Sequence, residues 1–139
     1  MKNVILVVIA LLLSTQAFAG EKIKLIKSGE IYDLLHEACS QLEMETCPRL
    51  YKNQNIPAIA QAGVLKSGVS VIIVNPSKFR SVTKTTTKKR MLLAHELTHV
   101  IVKEETGNNS RSHGHDYKAT CKEVTIRLNL SLTSCKSSM

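Results

Sequence analysis

The chain has 139 residues, a formal net charge of +8, four cysteines, no tryptophan and only 4% aromatic residues. That length fits one domain with a core of its own and excludes an array of domains. The scarcity of aromatic residues argues against a surface that stacks on nucleic-acid bases.

Lys2 precedes an unbroken apolar run from Val4 to Leu13, and Ala17-Phe18-Ala19 follows as an A-x-A site. This pattern predicts a secretory signal peptide over residues 1–19, cut before Gly20. The run is short of the about 20 residues a membrane-spanning helix needs. The expected mature domain is residues 20–139, periplasmic or secreted, with no membrane span once the signal is removed. Loss of Lys2 would lower the net charge from +8 to +7.

From Glu30 to Met44, the residues Ile31, Leu34, Leu35, Ala38 and Leu42 recur at helical spacing, which predicts an amphipathic helix that ends before Cys47-Pro48. Ile59–Leu65 and Val69–Val74 read as two strands joined by a turn at Lys66-Ser67-Gly68, and Asn75-Pro76-Ser77 stops the second. A polar, Thr-rich stretch over Ser81–Thr87 leads into a helix from about Lys88 to Glu105. Leu93, Leu97 and Val100 form its apolar stripe, Ala94 and Ile101 widen it, and Gly107 is its stop signal. A polar loop from Asn108 to Ser112 precedes a last helix over Asp116–Leu130, with Tyr117, Cys121, Val124 and Leu128 on one face.

Export makes disulfides the expected state of Cys39, Cys47, Cys121 and Cys135. Proximity in sequence favours Cys39–Cys47 and Cys121–Cys135 among the three possible connectivities. A zinc site built from the four cysteines is disfavoured, because no C-x-x-C pair occurs.

No Asp or Glu falls between Glu45 and Glu96, while nine Lys or Arg residues do, from Arg49 to Arg90. The basic 46–95 stretch is a candidate contact for a polyanion. The blander reading, a solvated basic surface, is favoured because no aromatic residues are interleaved with the charges.

His95-Glu96-Leu97-Thr98-His99 is an H-E-x-x-H motif inside a strong helical pattern. On a helix, positions i and i+4 lie one above the other, so His95 and His99 can hold one metal ion between them. Glu96 is turned about 100° from His95. It misses the metal but can reach a water beside it, as a general base must. A catalytic zinc needs a third protein ligand, and the residues offer His113, His115, Asp116 and Glu123. The metzincin pattern would require a histidine where Glu105 stands. His115 could compete as a ligand, contact substrate or simply face solvent. Asp116 could orient a ligand imidazole from behind or complement the helix N-terminus.

His113-Gly114-His115-Asp116-Tyr117, 14 positions after His99, carries a resemblance. With the H-E-x-x-H motif it resembles the SprT-like family of metallopeptidases, which includes the Spartan proteases, over roughly Glu30–Leu130. That family follows H-E-x-x-H with an H-G-x-x-aromatic signature. The resemblance implies that His95, His99 and His113 ligate zinc and that Glu96 is the base. It also implies that Gly114 lets the chain turn into the last helix, and that Tyr117 occupies the aromatic position, more as packing than as chemistry. With His115 and Asp116, Tyr117 is still a candidate to support a ligand or touch substrate, and Tyr117 and His115 are the candidates to stabilise an oxyanion. The expected fold is a small α+β, zincin-like domain, with a short sheet beside the active-site helix and flanking helices. The expected cofactor is Zn2+, and the expected activity is hydrolysis of peptide bonds in a protein or peptide substrate. The alternative is a non-catalytic, zinc-stabilised binding module with a basic anion-binding surface.

Overall fold

The computed structural model describes residues 23–107 and 113–135. The segment read as a signal peptide, residues 1–19, lies outside them, as does the loop at Asn108–Ser112. Among the described residues are four α-helices and a four-stranded mixed sheet: β1 (Lys24–Leu25), α1 (Glu30–Gln41), β2 (Arg49–Lys52), β3 (Ala60–Val64), β4 (Ser70–Val74), α2 (Pro76–Val82), α3 (Thr86–Thr106) and α4 (His115–Arg127). A 3-10 turn at Leu132–Cys135 follows.

The two expected strands around Lys66-Ser67-Gly68 form an antiparallel hairpin in which Val64 faces Ser70 and Ala60 faces Val74. Gly68 takes φ 87°, and its amide donates to the Leu65 carbonyl. A glycine in the left-handed region is what a three-residue hairpin loop requires at that position. The sheet order is β1-β2-β4-β3, with β2 parallel to β4 and β1 antiparallel to β2. Every residue of β4 is buried. Side chains alternate across a strand: Ile72 and Val74 join the main core, while Val71 and Ile73 pack with Ile56 on the other face.

Sequence periodicity did not reveal β1, β2 or α2. β2 is only four residues long, and one of them, Leu50, is fully buried. The Asn75-Pro76 stop also starts a helix. Asn75 Oδ1 accepts from the Lys78 amide as the N-cap of α2, with Pro76 in the first helical position. The Asn75 side-chain amide donates to the Gln54 and Ile56 carbonyls, so one buried residue also ties down the segment that crosses from β2 to β3.

Two helices end earlier than expected for the same physical reason. α1 closes at Gln41 rather than Met44, and α4 at Arg127 rather than Leu130. Each ends in a left-handed residue that is not glycine, Glu43 (φ 54°) and Asn129 (φ 55°). In each, the next amide reaches back five residues, Met44 to Cys39 and Leu130 to Thr125. This is the Schellman closure, which satisfies carbonyls that the helix leaves open. α3 is capped conventionally, by Thr85 Oγ1 on the Lys88 amide and by left-handed Gly107.

From Leu92 to Thr98, every α3 side chain is buried. The sheet through β3 and β4, together with α1 and α4, encloses this stretch. The stripe expected at Leu93, Leu97 and Val100 is therefore part of a helix surrounded at its middle, which carries His95, Glu96 and Thr98 inside.

Cys39–Cys47 and Cys121–Cys135 are disulfides. The first fixes the reversal after α1, and the second ties the 3-10 turn to α4. Two disulfides fit an oxidising, exported environment. No helix among the described residues is long and apolar enough to cross a membrane. Native protein should therefore show no thiol to an alkylating reagent under non-reducing mass spectrometry, and four labelled thiols would contradict the bonds. With a sequence separation of 14, Cys121–Cys135 constrains the unfolded chain by about 3 kcal/mol. Replacing both cysteines by serine should lower unfolding stability by roughly that amount.

Candidate metal centre

α3 places His95 and His99 one turn apart, and His113 enters from the start of α4. The three Nε2 atoms form a near-equilateral triangle: His95–His99 3.3 Å, His95–His113 3.2 Å and His99–His113 3.1 Å. Hydrogen bonds alone cannot satisfy such a triangle. Each Nε2 either carries a hydrogen and donates, or carries a lone pair and accepts. With three atoms in mutual contact, at least one pair must be alike. A cation shared by three lone pairs removes the conflict, and this cluster could hold a metal ion.

The electrostatics favour lone pairs. Burial, then the imidazoles of His99 and His113, hold His95 down to about 4 from the usual 6.5. Burial, then His113, hold His99 down to about 4 as well. Both rings are therefore neutral at physiological pH, the form that binds metals. His113 takes φ 49°, a left-handed conformation that costs a residue other than glycine about 1 kcal/mol or more. The turn into α4 was expected at Gly114, but Gly114 has an ordinary φ of −72°. The unusual backbone belongs to the histidine itself.

Glu96 is buried beside this cluster, 5% exposed. Burial pushes its carboxyl up to about 7 from 4.5, against the Ala62 backbone amide, whose hydrogen bond favours the charged form. Tyr117, expected mainly as packing and as one of three possible contacts beside the ligands or substrate, is the one of the three that lies against the histidines. Its ring lies under all three imidazoles, with centroids 4.6 Å from His99 and His113 and 5.4 Å from His95. Its hydroxyl is 2.8 Å from His95 Nδ1 and 3.3 Å from the His95 carbonyl oxygen. Burial, then the Glu96 carboxylate, push the phenol above its ordinary range, while a hydrogen bond with Thr98 acts in the opposite direction. His113 precedes α4 with a left-handed φ, so helix periodicity does not relate it to Tyr117, and the available signal was the aromatic position of the H-G-x-x-aromatic signature.

The other sequence candidates lie elsewhere. His115 and Asp116 are exposed in the first turn of α4, where the Asp116 charge complements the helix N-terminus. Glu123 lines a cavity of about 430 Å3 with Leu42, Ile101, Glu104 and Arg127, and is not in the histidine cluster. Within the basic 46–95 stretch, Lys78 donates to the Pro57 carbonyl, Lys89 pairs with Glu30 at 2.8 Å and Arg90 donates to the Leu128 carbonyl. These three charges are engaged inside the domain.

No protein-family model, curated protein or solved structure matches the chain.

The shift at Glu96 has a sign that can be tested on metal-free protein. Its folded value is raised, so its contribution to stability is complete below pH 4.5 and is lost as the pH rises through 7. Glu96→Gln removes that loss. In chelator, the variant should be more stable than wild type above pH 7 by on the order of 3 kcal/mol. The difference should vanish near pH 4.5, and denaturant melts at a series of pH values measure it. A difference that does not change with pH would contradict the buried carboxyl.

Proposed function

We propose that this chain is an exported zinc metallopeptidase with a zincin-like active site, in which His95, His99 and His113 hold the metal and Glu96 is the general base. The observation that carries this reading is the triangle of Nε2 atoms with a buried carboxyl on the same helix. Four-coordinate zinc, with zinc–nitrogen bonds of about 2.0–2.1 Å, spaces its ligand nitrogens about 3.3–3.4 Å apart. The separations of 3.1–3.3 Å are close to that. Three nitrogen ligands leave a fourth position open, as catalytic rather than structural zinc sites do. When bound, zinc would supply Lewis acidity that polarises a carbonyl and lowers the pKa of water.

The chain's own residues supply the rest. Burial raises the Glu96 carboxyl in the metal-free chain, and a cation held by the three histidines would pull it back toward the carboxylate that a base must be. It takes a proton from the attacking water as the water oxygen adds to the peptide carbonyl carbon. It returns that proton to the amine nitrogen as the C–N bond breaks. A structural metal site has no need of such a group.

β3 is an edge of the sheet. Its register pairs Gln61 and Gly63 with β4, leaving the main-chain groups of Ala60, Ala62 and Val64 turned outward. Ala62 reaches Glu96, so this edge borders the site, and an extended peptide could add to it as a further strand.

Metal analysis of purified protein should give close to one zinc per chain, with a large loss in His113→Ala. If Glu123→Ala loses zinc and His113→Ala does not, the ligand set is wrong. The proposed role of Glu96 leads to a separate test. Glu96→Gln should keep its zinc while cleavage of unfolded protein substrates falls by about 10²–10⁴-fold. Equal rates for wild type and variant would rule out the mechanism. Zinc binding by both without cleavage of any substrate would favour the non-catalytic, zinc-stabilised module.

A further inference from the structure

We infer that Tyr117 is a positioning residue that fixes the tautomer of His95, so that the Nε2 lone pair faces the cluster before any metal arrives. The inference rests on the metal-centre reading above and extends it to a residue that is not a ligand. A neutral imidazole carries one hydrogen, on Nδ1 or on Nε2, and only the Nδ1–H form can bind a metal through Nε2. The partner of Nδ1 therefore decides whether Nε2 is available.

That partner is the Tyr117 hydroxyl at 2.8 Å, which could in principle either donate or accept. The same hydroxyl lies 3.3 Å from the His95 carbonyl oxygen, which can only accept. A phenol has one hydrogen. When it points to the carbonyl, the phenol oxygen must accept from Nδ1, and the hydrogen of His95 is held on the side away from the cluster. Side chain and main chain of one residue thus act on one hydroxyl, at a position only 2% exposed, where water cannot readily substitute.

The placement of the ring reinforces this. The phenol sits under all three imidazoles, so removing the whole side chain would disturb packing and orientation together. Tyr117→Phe separates them, because the ring stays and only the hydroxyl goes. A phenylalanine would satisfy an aromatic position that served packing alone.

The test uses the purified chain, zinc alone as ligand, and two readouts. Competition with a chromogenic chelator should show zinc bound 10–100-fold more weakly by Tyr117→Phe than by wild type. Nitrogen-15 NMR of the metal-free protein should show His95 as the Nδ1–H tautomer in wild type and a shift toward Nε2–H in the variant. Val124→Ala, a core truncation elsewhere on α4, controls for lost stability and should leave both readouts near wild type. Zinc affinity in Tyr117→Phe equal to wild type, or reduced no more than in Val124→Ala, would overturn the inference. So would an Nε2–H tautomer in metal-free wild type. If wild type binds no zinc at all, the metal-centre reading fails, and the tautomer measurement still decides the role of Tyr117.

Discussion

Three imidazole nitrogens within 3.3 Å of one another conflict with themselves, and the surrounding fold holds them together in spite of it. Free in solution, such rings would separate and hydrate. Here two are fixed by the i, i+4 repeat of α3, and the third by a left-handed residue at the entry to α4. The aromatic floor beneath them stops any one ring from turning away. The sheet and α1 hold the opposite side of α3, so the helix cannot tilt to relieve the contact.

That enclosure leaves polar groups in the interior, and each is answered locally. Thr98, fully buried, donates to the Ala94 carbonyl of its own helix at 2.7 Å. Glu96 receives an amide from β3, and His95 meets the phenol of α4. Each partner comes from a different element. The sheet and the helix pair are thus joined through the site as well as through the apolar core, and displacing either would unsatisfy a buried group. Interior groups left without partners are costly, which makes this arrangement specific as well as stabilising.

Much of this was legible in the sequence where one physical rule acts within one element. The i, i+4 spacing of His95 and His99, the apolar periods of α1, α3 and α4, and the glycine turn at Gly68 all belong to that class. Residue types alone left the third histidine among several candidates, because its approach depends on how two helices meet. Only the resemblance at His113-Gly114 pointed to it. Tyr117 was a candidate, but the partner of its hydroxyl was not legible for a related reason: it is set by helix packing, which periodicity does not encode. The helix ends were misjudged at Glu43 and Asn129 because the usual glycine signal is absent there. β2 escaped notice because four residues are too few to show an alternation.

The Cys121–Cys135 bond was described above for what it does to the unfolded chain, but it also makes α4 unequal along its length. The bond grips the helix at its middle residue, Cys121, and holds the turn that follows the helix. The first turn, by contrast, carries no cysteine, and Tyr117 packs there against the histidine rings. Local opening follows the weakest attachments, so this first turn can lift while the rest of α4 stays pinned. Such an opening at one end of a helix would part His113 from His95 and His99 and leave the rest of the domain folded.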